Sequence, residues 1–323
     1  MMNVKSTIKR ALHSALGTQQ LHDRLQLIQL MLSNTEPGLA PRERTEVSSV
    51  QQEVAVEARN ETTQQLHKMF VRQIVDASKP GTVFSCRMNG LDLLAPMELV
   101  RMYPHCLHPV PEQPLTYFVE NQQSEWLCSK LGAGQVALDV GASMGLITLA
   151  LSKAVGVEGR VHAFEPQRTS RRHLASMLTL NGVDNVKICD SALSNSIGSA
   201  EFIEYSAENE LSWAAEASAL ASGTPVFSRH TRYTVPTTTI DTYVGIEGLR
   251  PDAIKIDIEG YELYALQGAT ATLERFRPCL CIDIHTDPHT GASARIPVET
   301  FLSDRGYGTF MQDHALYAEH RST

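Results

Sequence analysis

Ala137-Leu138-Asp139-Val140-Gly141-Ala142-Ser143-Met144-Gly145-Leu146-Ile147-Thr148 is the stretch on which the reading of the fold turns. A short apolar run carries a carboxylate, passes into a turn with glycine at either end, and opens into a helix expected from about Met144. That order puts a tight turn at the carboxyl end of a parallel strand, where open α/β sheets take their ligands. Gly141 and Gly145 have no Cβ, so the backbone there can take positive φ and a ligand can come close. The free N–H groups opening the helix favour a carboxylate or phosphate.

The βα rhythm continues downstream. Gly159 to Pro166 reads as a second strand that ends in Glu165, about two dozen residues past the turn, where a carboxylate can accept from both ribose hydroxyls of an adenosine. A helix is expected from about Arg168 to Asn181, stopped by Gly182, and a third strand over Val186 to Asp190. In this topology Asp190 and Ser191 follow the strand beside which an adenine would lie. The turn itself, G-A-S-M-G, lacks the G-x-G-x-x-G spacing of a dinucleotide site, which disfavours a nicotinamide-dependent oxidoreductase. An acidic residue just ahead of the first glycine suits S-adenosylmethionine, which carries an ammonium and a sulfonium; Asp139 is there.

Between Glu201 and Thr239 the rhythm breaks into two expected strands joined by a polar loop that contains Trp213. Ala253 to Gly260 is the next expected strand, followed by a helix from Glu262 to Ala269, and Pro278 to His285 is another strand. Alternation puts Asp283 and His285 on one face. If those strands are neighbours, Asp257, Glu259, Asp283 and His285 meet beside the turn; paired carboxylates at a strand end are costly unless used. Val298 to Leu302, Gly308 to Met311 and Ala315 to Ala318 suit a helix and a closing hairpin.

The first 75 residues are polar, with Leu21, Leu25, Ile28 and Leu32 at helical spacing; they form an expected helical arm, open to a role in homo-oligomer contact. Residues 76–134 carry a hairpin around Met88-Asn89-Gly90 and a lead-in helix over about 115–131, and the catalytic core is expected over 135–323. A net charge of −8 argues against a broad basic surface for nucleic acid or anionic lipid. No apolar run of about eighteen residues marks a membrane span, and the opening residues do not resemble a signal peptide. Six irregularly spaced cysteines fit reduced thiols and a cytoplasmic setting, with Cys279 and Cys281 alternating in a strand rather than binding zinc.

From about Glu120 to Phe310 the chain resembles the FkbM-type family of S-adenosylmethionine-dependent methyltransferases. The resemblance is carried by D-V-G-A-S-M-G-L-I-T at 139–148, H-A-F-E-P at 162–166, T-T-I-D at 238–241, I-K-I-D-I-E-G-Y-E at 254–262 and L-Q-G-A at 266–269. It implies a Rossmann-like class I sheet of seven strands with the last antiparallel, and O-methylation of a hydroxyl on a sugar, glycan or natural product. Position by position it implies Asp139, Gly141 and Gly145 at the methionine end, Glu165 at the ribose, and Asp257 and Glu259 facing methyl transfer; Ser143 and Thr148 of the same motif are expected among the cofactor-binding residues. Ser143 stands where the family commonly has Asn, and the order Asp283-Ile284-His285 departs from a carboxylate followed directly by His.

The enzyme's task in such a reaction is to position donor and acceptor and give the hydroxyl proton somewhere to go. Asp257 or His285 is the expected proton acceptor, with Glu259 orienting the hydroxyl. A divalent metal held by Asp257, Glu259, Asp283 and His285 is the competing and less favoured use of the same groups. A binder that keeps the fold but lacks turnover is the other alternative.

Overall fold

The computed structural model describes residues 81–88, 91–102, 119–205, 219–220 and 230–321. The expected helical arm, the boundary at 76, the Asn89-Gly90 turn and Trp213 lie outside them. The described chain begins with an antiparallel pair, β1 (Val83–Met88) and β2 (Leu91–Pro96), in which Met88 faces Leu91. Helices α1 (Met97–Met102) and α2 (Val119–Ser129) follow.

Then comes the expected alternation: β3 (Val136–Val140), α3 (Leu146–Val155), β4 (Arg160–Phe164), α4 (Arg168–Leu180) and β5 (Val186–Cys189). The interruption is a small separate sheet of β6 (Ala192–Leu193), β7 (Gly198–Tyr205), β8 (Ala219–Leu220) and β9 (His230–Thr238), ordered β6-β9-β7-β8. After α5 (Ile240–Glu247) the main sheet resumes with β10 (Ala253–Ile256), α6 (Glu262–Gln267), α7 (Thr270–Phe276) and β11 (Cys279–Asp283). Helix α8 (Arg295–Ser303) and the hairpin β12 (Tyr307–Gln312) and β13 (Ala315–His320) complete it.

Among the described residues the main sheet has seven strands in the order β12-β13-β11-β10-β3-β4-β5, the five from β11 to β5 all parallel. The last strand, β13, runs antiparallel to both of its neighbours, as expected. Strand order reverses between β3 and β10, a switch point of the kind at whose carboxyl ends open α/β sheets form a ligand crevice.

Alternation along the strands sorts the two faces. Leu138, Val140, Ile254, Ile256, Leu280 and Ile282 pack with Val244, Leu266, Leu273 and Val298 into the largest core. The opposite face carries smaller residues, Ala137, Ala253 and Cys281, beneath Leu127, Ile147 and Leu151 of α2 and α3. Asp139 and Lys255 continue that second face, one position pair further along each strand. The parallel register sets Lys255 directly opposite Asp139. Fold and charge pairing are thus fixed by the same two-residue period.

Two expected strands end early. β10 stops at Ile256 rather than Gly260, because Glu259 and Gly260 both take positive φ, 54° and 102°, which no strand accommodates. β11 stops at Asp283 rather than His285; Ile284 N–H donates to the His314 carbonyl at 3.1 Å and the chain then turns away. Asp257, Glu259 and His285 therefore sit on turns past the strand ends, aimed by the turns rather than by alternation.

Ile254 lies wholly buried in the central strand. Ile254→Ala is expected to lower unfolding free energy by about 2–5 kcal/mol in chemical denaturation with an unchanged denaturant slope.

Candidate active site

The turn after β3 is held by unusual backbone proximity. Gly141 has φ 81°, and a Cβ on it would stand 1.8 Å from the Asp257 carbonyl oxygen. Gly145, φ 93°, caps the start of α3, and a Cβ there would meet Leu174 Cδ1 at 2.4 Å. Only glycine fits either place. Ser143 between them takes φ 48°, a conformation more costly for serine than for the asparagine expected there, and its N–H donates to Glu165 Oε2 at 2.7 Å. That hydrogen bond to a buried carboxylate offsets the backbone cost.

Asp139 is wholly buried. Its Oδ2 accepts from the Thr148 hydroxyl at 2.5 Å, while Oδ1 has no hydrogen-bond partner and lies 3.7 Å from Lys255 Nζ. Burial raises the Asp139 pKa, against the pull of Lys255 and the Thr148 hydrogen bond. Thr148 is itself wholly buried, so it meets the crevice through Asp139 rather than directly.

Glu165 follows β4 as expected. Its two oxygens accept separate backbone N–H groups, Oε2 from Ser143 and Oε1 from Gln167, both at 2.7 Å. Burial pushes its pKa up to about 7 despite those donors. Asp190, exposed, and Ser191 lie directly past the end of β5, at the same end of the sheet.

Lys255 joins the two sides of the crevice. Only 5 % exposed, its ammonium donates to the Gly141 carbonyl at 2.7 Å and lies 3.4 Å from Asp257 Oδ2. Asp257 Oδ1 faces His285 Nε2 at 3.8 Å, and Glu259 Oε2 is also 3.8 Å from that nitrogen. The other ring nitrogen, Nδ1, is 2.9 Å from Glu262 Oε1. Glu262 is wholly buried; Oε1 also accepts from the Gly260 N–H at 2.9 Å, and Oε2 has no partner.

The electrostatics of His285 follow from this surround. Burial alone would disfavour its charge, but the Glu262 hydrogen bond and the carboxylates of Glu262, Asp257 and Glu259 outweigh it and raise the pKa to about 9. One ligand atom from each of Asp257, Glu259 and His285 falls within 4.8 Å of the others, a grouping from which a divalent cation could be held.

Asp283 does not join that group. The expectation that it shares a face with His285 is corrected by the early end of β11: Asp283 accepts from Gln123 Nε2 at 3.2 Å and pairs with His314 Nε2 at 3.2 Å. Burial, then the Asp257 charge, raises its pKa. Tyr261 is buried, and Tyr233 spends its hydroxyl on Glu204 at 2.6 Å beneath the Arg168 guanidinium.

Two residues of the site were not expected from the sequence. Lys255 had a signal, a lysine set among isoleucines in an otherwise buried strand. Glu262 had none, since an acidic residue in the first turn of a helix is ordinary.

Comparison with known proteins gives these positions a context. None of the curated proteins compared with the chain matches it. Among solved structures, the methyltransferase FkbM from Methylobacillus flagellatus KT is 18 % identical, covering 61 % of this chain and 51 % of its own, at a TM-score of 0.40. This chain thus spans about half the length of that protein. A cofactor-bound Rv0187 from MTB is 17 % identical over 69 % of this chain and 88 % of its own, TM-score 0.42. A SAM-dependent methyltransferase from Aquifex aeolicus is 19 % identical over 60 % and 88 %, TM-score 0.36. The family model described as Methyltransferase FkbM domain matches residues 139–308, from the carboxylate of β3 into β12 and more than half of the chain. The chain belongs to the FkbM family of S-adenosylmethionine-dependent methyltransferases.

Proposed function

We propose that this enzyme methylates a hydroxyl of a sugar, glycan or other small natural product, with Asp257 taking the proton. The observation that carries the reading is the meeting of Asp257, Glu259 and His285 at the mouth of the β3–β10 switch point, against the Gly141 turn. When bound, S-adenosylmethionine supplies an electrophilic methyl group for in-line displacement by the acceptor oxygen.

Features of the crevice fit that cofactor. The Gly141 and Gly145 positions leave a turn that a ligand can approach closely, and the buried Oδ1 of Asp139 lacks a hydrogen-bond partner. Glu165 uses one acceptor site on each oxygen for a backbone N–H, which leaves lone pairs for ribose hydroxyls. In this reading Asp139, Gly141, Ser143, Gly145 and Thr148 shape the methionine end, and Asp190 and Ser191 border the adenine.

The chain's own residues divide the proton chemistry. Lys255 engages Oδ2 of Asp257, which leaves Oδ1 as the atom that receives the hydroxyl proton. The 3.8 Å separations from His285 to Asp257 and Glu259 are too long for hydrogen bonds, so the imidazole meets these carboxylates as ion pairs. With a pKa of about 9, His285 is a cation at neutral pH, so it orients the carboxylates and Asp257 is the acceptor of the two candidates. Glu259, in reach of the same imidazole, orients the hydroxyl. The reading uses no metal, because Lys255 and His285 already bring cations to these carboxylates.

The test is methyl-labelled S-adenosylmethionine incubated with a panel of glycosides and polyketide alcohols, followed by release of S-adenosylhomocysteine and appearance of a methyl ether. Asp257→Asn should cut turnover roughly 10²–10⁴-fold, well beyond any change in cofactor affinity. Unchanged turnover contradicts the assignment of the base. His285 also links stability to pH. Its folded pKa of about 9 exceeds the ordinary 6.5, so its contribution is full below about pH 6.5 and lost as pH rises through about 9. Thermal midpoints should fall across that window, and His285→Gln should flatten the fall.

A further inference from the structure

Burying an ammonium costs several kcal/mol unless its partners are well placed, so a lysine that is 5 % exposed in a central strand needs a reason. The partners of Lys255 include groups of two kinds. One is a backbone carbonyl, Gly141 O at 2.7 Å; two are carboxylates, Asp257 Oδ2 at 3.4 Å and Asp139 Oδ1 at 3.7 Å. Pinning the turn accounts for the first contact only. Beside Asp139 of the adjacent strand and Asp257 just past the end of its own, and within electrostatic reach of Glu165 and Asp283, Lys255 sets the local balance as a positive charge among carboxylates.

That balance matters because the cofactor and its product differ in charge at one atom. In methyl transfer the C–S bond breaks with its electron pair passing to sulfur, a C–O bond forms, and the hydroxyl proton goes to Asp257. The sulfonium becomes a neutral thioether. A fixed charge beside the sulfur acts on the first far more than on the second. Without Lys255 these carboxylates would lose one opposing positive charge, and the crevice would favour the sulfonium form over the thioether form more strongly.

We propose that Lys255 is a specificity-determining residue that offsets the Asp139 and Asp257 charges and so sets the relative affinity of the crevice for S-adenosylmethionine and S-adenosylhomocysteine. The inference rests on the reading that the cofactor occupies the turn after β3. It gives Lys255 a positioning and electrostatic part in the reaction without contact to the transferred group. By tempering the hold on the sulfonium, Lys255 keeps cofactor binding from opposing the loss of charge that methyl transfer requires.

The experiment is calorimetric titration of the full chain with S-adenosylmethionine and, separately, with S-adenosylhomocysteine. The readout is the ratio of the two dissociation constants, from which a general loosening of the site cancels. Lys255→Met should shift the ratio about tenfold in favour of S-adenosylmethionine. Lys255→Arg, which keeps the charge, should hold the ratio within about twofold of the natural protein. Lys255→Gln keeps an N–H for the Gly141 carbonyl and carries the same prediction as the methionine variant if the latter does not fold. A ratio unmoved in the uncharged variant, or moved equally in the arginine variant, overturns the proposal. Asp139→Asn separates the two claims. If it leaves both affinities untouched, the reading of the cofactor site falls and the proposal with it; if it weakens binding while the lysine ratio stays fixed, the proposal alone falls.

Discussion

The carbonyl oxygen of Asp257 lies so close to Gly141 that a single methyl group there would overlap it, at 1.8 Å. Most of the site follows from that approach. It brings the turn leaving β3 against the turn leaving β10 at the point where strand order reverses. A ligand on the first turn is then necessarily beside the side chains of the second. The glycine at 141 is the condition for bringing the Asp139 turn against Asp257, Glu259 and His285.

Charge completes what the backbone begins. Asp139, Lys255 and Asp257 lie in sequence across the gap, and Lys255 also holds the Gly141 carbonyl, so the ammonium ties backbone geometry to electrostatics. On the far side Glu262, wholly buried, holds one nitrogen of His285 and turns the other toward Asp257 and Glu259. Buried Asp139, Lys255 and Glu262 each meet at least one polar or charged partner here, while Asp139 Oδ1 and Glu262 Oε2 accept no hydrogen bond. The small face of the sheet, lined by Ala137, Ala253 and Cys281, leaves the room in which α2 and α3 bring Gln123 and Thr148 to Asp283 and Asp139.

The architecture was legible in the sequence to the extent that period governs it. Alternation and glycine turns placed the parallel strands and the closing hairpin, and the resemblance supplied the strand count. The Asp139 turn and Glu165 were legible because a strand end fixes where a side chain must lie. Asp283 was misread for the opposite reason. Its expected partnership with His285 assumed that β11 continues, whereas the chain leaves the strand at Asp283 and the two side chains part. The positive φ at Glu259, a non-glycine residue, gives no signal in a propensity reading, so the turn that aims Asp257 and Glu259 was taken for strand. Glu262 reaches His285 across 23 residues of chain, a contact that no local pattern announces.

The central claim is that S-adenosylmethionine seats on the turn between β3 and α3, and amide hydrogen exchange tests it most directly. Adding S-adenosylmethionine should slow exchange at the backbone of residues 141–148 and around 165 and 257–260, and NAD should leave them unchanged. Protection confined to other parts of the sheet, or the same protection by NAD, would contradict the account.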